Sequence, residues 1–429
     1  MYKRIFLLAT ILGGSFTSFG QVGVGQISGK ETTGHDINAI TTALPFLDIN
    51  TDSRSGAMGN AGTALSANSN SLYWNTAMLN FAEDKGEVSV SYTPWLRALT
   101  NDMHLSELSG YGKLGKRHVI GAGLRFFSLG EITFRDDQGG FIRTDKPSEF
   151  SIYAGYAFKL SNRFSIGLNG IFAYSNLTGG YVTPGAQAKP GIVGATDISL
   201  AYNNKDINWF KKSGTIAWGL TLNNIGNKVA YSSVDLSKKD FIPMNIKTGV
   251  AYTVNLDRYN SFTAAVDFQK LLVPTPPLRD NNNNIISGRE NNVGVIAGLV
   301  QSFYDAPGWL AKDEEGVPIK DADGNYEVVK GSKFREELRE INIAIGLEYW
   351  YNKMFALRFG YFNEAYTKGN RKFFTVGAGV KYKIFGLDIS YLAALQKGNP
   401  LANTVRFTLR FAFNDSLKKA KHDDVDAAN

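Results

Sequence analysis

The sequence predicts an all-β fold: a 14-stranded antiparallel β-barrel that spans an outer membrane, with an N-terminal plug segment and long extracellular loops. Three observations predict it. Apolar and polar residues alternate with a period of two between residues 85 and 413, the alternating segments reach ten or more residues, and short and long connections follow one another between them. Such alternation is typical of strands with one apolar and one polar face.

Residues 149–160, EFSIYAGYAFKL, show the pattern clearly. Phe150, Ile152 and Tyr156 lie on one face of this strand, and Ser151 and Lys159 lie on the other. Strands of soluble sheets have about five or six residues, whereas a tilted strand needs about nine to eleven to cross a bilayer. The length of the segments therefore favours a membrane barrel over a soluble β-sandwich.

The second face of the strands is rich in glycine and carries charges of both signs. A charge that faced lipid would cost about 2–4 kcal/mol at the middle of the membrane. We therefore expect this face to line a polar lumen. Its charged members are Arg125, Lys159, Asp267, Glu348, Arg358, Arg406 and Arg410.

Fifteen segments qualify as strands, but single-chain bacterial barrels have an even number. Only the segment 292–303 has a long connection on both sides, and removing it restores the alternation of tight turns and long loops. We place it inside one extracellular excursion over residues 270–340, which also holds a hairpin over residues 320–329. The fourteen expected strands are 86–93, 103–113, 118–129, 149–160, 163–175, 195–203, 214–223, 245–254, 260–269, 340–351, 354–363, 372–383, 385–394 and 403–413.

The two ends of the chain differ from the barrel region. Residues 1–20 combine Lys3 and Arg4 with an apolar centre and small residues before Gln21, which is typical of a signal peptide for export. Residues 414–429 form a polar tail that we expect in the periplasm. The net charge of +7 comes from cations scattered among acids, so nothing indicates a nucleic-acid partner, and the chain has no cysteine.

Residues 21–84 lack the alternation and are predicted to form a plug inside the barrel. Fourteen strands enclose a lumen too wide for their own side chains to fill. A segment that enters it needs glycine and alanine for close backbone contact, and serine and asparagine to satisfy polar groups. Residues 53–80 have this composition, although a disordered N-terminal arm is the other interpretation. The expected plug residues are Gly56, Gly59, Gly62, Trp74 and Asn75, with Tyr73 and Met78 as further apolar anchors.

The same residues carry a resemblance. SRSGAMGNAGTALS followed by LYWNTAML resembles the plug signature of the FadL/OmpP1 family of fourteen-stranded barrels, with Asn75-Thr76-Ala77 where that family usually has Asn-Pro-Ala. SVSYTPWLRAL, LLVPTPP, QSFYDAPG, GNRKFFTVGAGVKYKIFGLDISYL and NPLANTVRFTL resemble the PorV (LptO) family, the outer-membrane subunit of the Bacteroidetes type IX secretion system. This sequence departs from the PorV pattern at two places: it has an insertion over residues 312–331, and it continues as a tail after Phe413.

The residue pattern does not predict an enzyme. The four histidines are far apart in sequence, and no pairing of a nucleophile with a base stands out. Asp321, Asp323 and Asn325 resemble the start of a calcium loop, but Ser332 stands where a bidentate Glu is needed. A hairpin turn explains this stretch better, and we expect neither a metal nor a cofactor.

The resemblance implies an outer-membrane carrier that binds the C-terminal domains of secreted cargo. Its implied partners are the SprA-type translocon, the PorU-type sortase and attachment complex at the cell surface, and outer-membrane lipid. The residues expected to contact protein partners are Pro274, Pro276, Pro277, Tyr304, Pro307 and Trp309. Two alternatives stay open: a FadL-like channel for hydrophobic small molecules, and an outer-membrane enzyme connected with lipopolysaccharide deacylation.

Overall fold

The computed structural model describes residues 37–97, 100, 102–135, 138–177, 189–209, 211–231, 239–280, 282–322, 324–396, 399 and 401–413. The expected signal peptide, the start of the plug segment, Asp323 and the polar tail lie outside these residues. No helix in the described ranges is long and apolar enough to cross a membrane.

Fourteen antiparallel strands form a closed barrel in which each strand pairs with its sequence neighbours, and the first strand pairs with the last. The register is continuous at the closure, where Val90 lies opposite Leu409. The strands are β1 (Gly86–Pro94), β2 (His104–Leu114), β3 (His118–Ser128), β4 (Ser148–Lys159), β5 (Phe164–Asn176), β6 (Gly191–Trp209), β7 (Lys212–Gly226), β8 (Asn245–Asn255), β9 (Asn260–Leu271), β10 (Ile341–Tyr351), β11 (Phe355–Asn363), β12 (Lys372–Tyr382), β13 (Phe385–Ala394) and β14 (Thr404–Phe413). The predicted fourteen-stranded barrel is confirmed.

The two faces of the wall have opposite chemistry, as the alternation predicts. In β4 the side chain of Ile152 is 51% exposed, while its neighbour Ser151 is 1% exposed. The exposed outward residues include many large apolar side chains, and the inward ones are mostly polar, charged or small. Such an apolar belt suits contact with lipid, and the structure therefore supports an outer-membrane location.

Tight turns join the strands at one end of the barrel, and long connections join them at the other. In the turn between β10 and β11, Asn352 and Lys353 both have positive φ values of 50° and 53°. Two consecutive positive φ values are typical of a type I′ turn, whose twist matches that of a β-hairpin. The long connections form the outer end of the barrel.

The largest connection at the outer end joins β9 to β10, over residues 272–340, and we call it the excursion. The segment 292–303 does not join the barrel: it contains helix α3 (Val295–Gln301), and a second helix, α4 (Ser332–Arg339), precedes β10. Isolated antiparallel bridges, among them Lys320 with Tyr326, connect the part between the helices. Two short hairpins also lie in outer loops, Ile132–Arg135 with Phe141–Asp145 and Leu278–Arg279 with Ile285–Ser287.

The N-terminal segment enters the barrel and contacts its inner wall. It forms a 3-10 helix at Pro45–Asp48, helix α1 (Ser53–Ala57), helix α2 (Ser71–Trp74) and a second 3-10 helix at Thr76–Phe81. Most residues between Thr51 and Asn80 are buried although they lie outside the strands. We call the described residues 37–85 the plug.

Candidate functional site

Glycines allow the plug backbone to contact the wall directly. Gly59 has a φ of 68°, and a Cβ atom there would lie 2.5 Å from the carbonyl oxygen of Tyr361. Across from it, a Cβ atom on Gly360 of β11 would overlap the backbone nitrogen of Gly59. Neither position has room for a side chain, so the sequence composition of the plug follows from the contact it makes.

The other expected plug residues make specific contacts. A Cβ atom on Gly62 would overlap the ring of Trp74, which is 4% exposed. The side-chain amide of Asn75 donates hydrogen bonds to the carbonyl oxygens of Thr63 (3.2 Å) and Leu200 (3.1 Å), so it connects two parts of the plug and strand β6. A Cβ atom on Gly56 would lie 3.0 Å from Cδ of Arg406.

Buried ion pairs connect the plug to the wall through a chain of alternating charges. Arg54 of α1 donates to Glu348 at 2.7 Å, and Glu348 also accepts from Arg358 at 2.7 Å. Arg358 pairs with Asp388 at 2.7 Å, and Asp388 pairs with Arg410 at 3.0 Å. Each of these side chains is less than one-tenth exposed, so each charge depends on its partners rather than on water.

Two further contacts hold the plug. Asp267 of β9 accepts hydrogen bonds from the backbone nitrogens of Gly62 and Thr63, both at 2.8 Å. Nearer the outer end, Asp48 of the plug pairs with Lys247 of β8 at 2.9 Å. The polar wall therefore satisfies the plug's backbone and side chains, which the lumen would otherwise leave without partners.

The excursion is held to the barrel through the inner side of α4. Glu336 pairs with Lys368 at 2.7 Å and accepts from the backbone nitrogen of Gly308 at 2.7 Å. Glu340, directly before β10, pairs with Lys368 at 3.0 Å and also with Lys270. These contacts fix the excursion to β9 and to the loop between β11 and β12.

Asp305 lies at the joint between α3 and the start of the excursion. Its Oδ2 accepts from the backbone nitrogen of Thr275 at 3.1 Å, and its Oδ1 is buried without a hydrogen-bond partner in the described structure. Burial raises the pKa of this carboxyl from its ordinary 3.8 to about 6, and the nearby carboxylates of Glu340 and Glu337 act in the same direction.

The predicted partner-contact residues divide into buried and accessible ones. Pro274 and Pro307 are buried, and Pro276, Pro277 and Trp309 are half-buried. Pro277 and Pro307 pack together around Gly288, whose Cβ atom would lie 3.1 Å from each. Tyr304 is the exposed member, at 52%, and the guanidinium of Arg289 lies 4.6 Å from its ring.

Exposed apolar residues lie on the two helices of the excursion, and of these only Tyr304 was predicted from the sequence. On α3 and the turn after it they recur at helical spacing, and on α4 they are four residues apart, so each set occupies one side of its helix. The burial pattern of α4 is the opposite of that of a surface helix in a soluble protein. Its polar residues Ser332 and Glu336 are buried, and its apolar residues are exposed. The α3 face is Ile296, Val300, Phe303 and Tyr304, and the α4 face is Phe334 and Leu338.

A cavity of about 480 Å³ lies at the outer end between the plug and the wall, and we call it the outer cavity. It is bounded by the first turns of the plug, by strand ends and by the loop between β11 and β12. Apolar and polar groups alternate in its lining, which includes Ile40, Asp48, Asn50, Trp95, Phe362, Glu364, Arg371, Phe373, Leu392 and Arg406.

Comparison with known proteins now places this plugged barrel in a family. The family model for the type IX secretion system protein PorV matches residues 32–278, more than half of the chain. The chain belongs to the PorV family. It is therefore an outer-membrane protein of the type IX secretion system.

Solved structures were also compared. The toluene transporter TodX of Pseudomonas putida matches with a TM-score of 0.45 at 11% identity, over 84% of this chain and 98% of that one. A FadL homologue of Pseudomonas aeruginosa matches with a TM-score of 0.42 at 9% identity, over 88% and 100%. The toluene transporter TbuX of Ralstonia pickettii matches with a TM-score of 0.42 at 11% identity, over 84% and 97%. The search of curated proteins found no match.

Proposed function

We propose that this PorV-family barrel is a non-enzymatic carrier. It binds the C-terminal domains of secreted cargo at the SprA-type translocon and delivers them to the PorU-type sortase and attachment complex at the cell surface. The observation that carries the proposal is the pair of exposed apolar helix faces, the α3 face and the α4 face, on an anchored excursion at the outer end of a filled barrel.

Because the plug occupies the lumen, the structure supports a role for the outer surface of the protein rather than for transport through the lumen. Buried ion pairs such as Arg54–Glu348 and direct backbone contacts such as Gly59 against Tyr361 hold the plug in place. A barrel whose lumen holds a plug can still act through its surfaces. The excursion supplies such a surface at the outer end of the barrel.

The exposed helix faces support protein binding. Phe334 is 68% exposed and Ile296 is 68% exposed, although each belongs to a helix whose other side is held in the structure. Exposed clusters of large apolar residues at a polar rim are typical of surfaces that bind another protein. The ion pairs of Glu336 and Glu340 with Lys368 hold α4 in position, so little ordering is needed when a partner binds.

The test combines copurification with matched substitutions. The full chain, isolated from its own membrane, is expected to copurify with the translocon and with a cargo C-terminal domain. Phe334→Ser combined with Leu338→Ser is expected to weaken cargo binding at least tenfold, because central apolar contacts dominate such interfaces. Phe141→Ser is the control, since Phe141 is 66% exposed on a different outer loop.

A deletion strain gives the decisive result. If cargo still reached the cell surface at the normal rate without this protein, the carrier proposal would be wrong. Complementation with the Phe141 variant, but not with the double variant on the α4 face, is the pattern that the proposal requires.

A FadL-like channel for hydrophobic small molecules is the second candidate, because the outer cavity lies between the plug and the wall. Uptake of a labelled fatty acid into liposomes that contain the purified protein would support it. The charged and amide side chains that line the lumen favour the carrier. A hydrophobic substrate that passed through the lumen would leave these polar groups without hydrogen-bond partners.

A further inference from the structure

Arg406 differs from the other arginines that the structure describes on the inner wall. Arg125, Arg358 and Arg410 each pair with a carboxylate within 4 Å, but Arg406 forms no such pair within the described residues. Among the residues that the structure describes, Nε donates to the backbone oxygen of Asn50 at 3.2 Å, and the buried Nη1 has no hydrogen-bond partner. The residue is only 2% exposed.

The acids around Arg406 are occupied by other groups. Asp52 uses both carboxylate oxygens on its own helix and on Asn70, with contacts to the backbone nitrogens of Arg54 and Ser55 at 3.0 Å. In the outer cavity, Asp48 pairs with Lys247, and Glu364 pairs with Arg371 at 2.7 Å. A buried guanidinium without a carboxylate is costly, which indicates that an anion completes the site.

The cavity around Arg406 fits a ligand that joins a carboxylate to an apolar body. Its volume of about 480 Å³ lies within the range of about 300–1,000 Å³ that is typical of small-molecule sites. The stacked rings of Phe362 and Phe373, with centroids 4.9 Å apart, form part of its wall beside Leu392. The guanidinium of Arg406 carries a single positive charge, which a singly charged anion would balance. A carboxylate also fits its planar geometry, because it accepts two parallel hydrogen bonds from arginine.

The lining also distinguishes between possible sources of the carboxylate. Thr42 and Asn342 are distributed among the apolar groups, and an alkyl chain would leave their polar side-chain atoms without partners. The backbone of an extended peptide offers both donors and acceptors at every residue. We propose that the outer cavity receives the C-terminal end of a polypeptide, with Arg406 binding its terminal carboxylate.

This inference rests on the proposed carrier function and makes it more specific. The outer cavity is at the end of the barrel where the excursion lies, because its lining includes Leu271 and Glu340 from the two ends of that connection. A cargo domain held on the α3 and α4 faces would have its terminus available to the cavity. Arg406 then binds the terminal carboxylate of the cargo, and the α3 and α4 faces bind its folded domain.

The test compares two forms of one probe. A cargo C-terminal domain is prepared with a free terminal carboxylate and with a terminal amide, and each is titrated against the full chain in detergent by calorimetry. The acid is expected to bind at least tenfold more tightly than the amide. Arg406→Gln is expected to remove that difference. Arg406→Lys is expected to keep part of it, because lysine retains the positive charge but lacks the two parallel N–H donors of the guanidinium.

Arg410 provides the matched control on the same strand and the same inner face. It is four residues from Arg406 but is paired with Asp388 at 3.0 Å and with Glu87 at 3.6 Å. Arg410→Gln is expected to lower the melting temperature of the barrel and to keep the preference for the acid. Arg406→Gln is expected to keep or raise the melting temperature, because it removes a buried charge without a partner.

Each result separates this inference from the carrier proposal. If neither form of the domain binds the wild-type chain, the carrier proposal fails. If both forms bind equally, the carrier proposal stands and the assignment of Arg406 is wrong. If dodecanoate binds in an Arg406-dependent manner while the acid form of the domain does not compete with it, the cavity serves a fatty acid and the inference is overturned.

Discussion

At the scale of single residues, the plug is held by glycines that meet wall glycines where no side chain fits. The contact of Gly59 with β11 is an example, because Gly360 leaves room for the plug backbone. Positions that face away from the plug tolerate more change. Gly170 of β5 lies on the outward face of the barrel and has open space where its Cβ would be.

Replacing Gly360 with alanine is expected to destabilise the plugged barrel. The added methyl would overlap the backbone of Gly59, and overpacking typically costs about 1–3 kcal/mol. The melting temperature in detergent should fall, and large antibiotics should enter cells more readily if the plug is displaced. Gly170→Ala is the control and should change neither measurement; equal effects of the two variants would contradict this explanation.

The buried ion pairs of the lumen are expected to contribute strongly to the stability of the plugged barrel. Glu348→Gln leaves Arg54 and Arg358 without the carboxylate that they share, and removing one partner of a buried pair costs about 3–5 kcal/mol. Chemical unfolding in detergent measures the loss. Glu131→Gln is the control, since Glu131 is 53% exposed and pairs with an exposed Lys146, and exposed pairs contribute about 0–1 kcal/mol.

At the scale of elements, the excursion is a folded unit whose joint contains a carboxyl with a shifted pKa. Asp305 receives a hydrogen bond from Thr275 and faces Glu337 of α4, Glu340 directly after that helix, and Gln301 of α3. Because its pKa in the folded state is about 6, above the ordinary 3.8, protonation stabilises the folded excursion. This contribution is complete below pH 3.8 and is lost as the pH rises through about 6.

The excursion should therefore become more stable as the pH falls from 7.5 to 5.5. Hydrogen exchange of the amides in α3 and α4, corrected for the intrinsic pH dependence of exchange, is expected to slow severalfold. Asp305→Asn should remove this dependence and show slow exchange at both values, because the amide carries no charge to bury. An unchanged pH dependence in the variant would assign the effect to another group.

The elements also show what the sequence does and does not predict. Period-two alternation located every barrel strand, because a wall between lipid and a polar lumen imposes it on each one. The helix α3 was not predicted, since a short apolar run such as VIAGLV fits a strand or a helix equally well. The ion pair of Arg54 with Glu348 joins residues 294 positions apart, and the contact of Arg406 with Asn50 joins residues 356 apart, so no local pattern reports either of them.

At the scale of the whole molecule, a plugged barrel and an open channel differ in whether the plug has to move. A carrier that acts through its outer end, as proposed above, would work with the plug fixed in the lumen. A channel for small molecules needs a path past the plug. The chain contains no cysteine, so a single engineered pair can distinguish the two without background reactions.

Ser53 of α1 and Thr408 of β14 suit this purpose, because their hydroxyl oxygens lie 3.1 Å apart. Ser53→Cys combined with Thr408→Cys is expected to form a disulfide under oxidising conditions, visible as a shift of the denatured chain on a non-reducing gel. Cells with the oxidised protein should still deliver cargo to the surface, at a rate equal to that of the same cells after reduction. Each single-cysteine variant controls for the substitutions themselves. Delivery that stops on oxidation and resumes on reduction would show that the plug has to leave the lumen, and the carrier mechanism with a fixed plug would then be wrong.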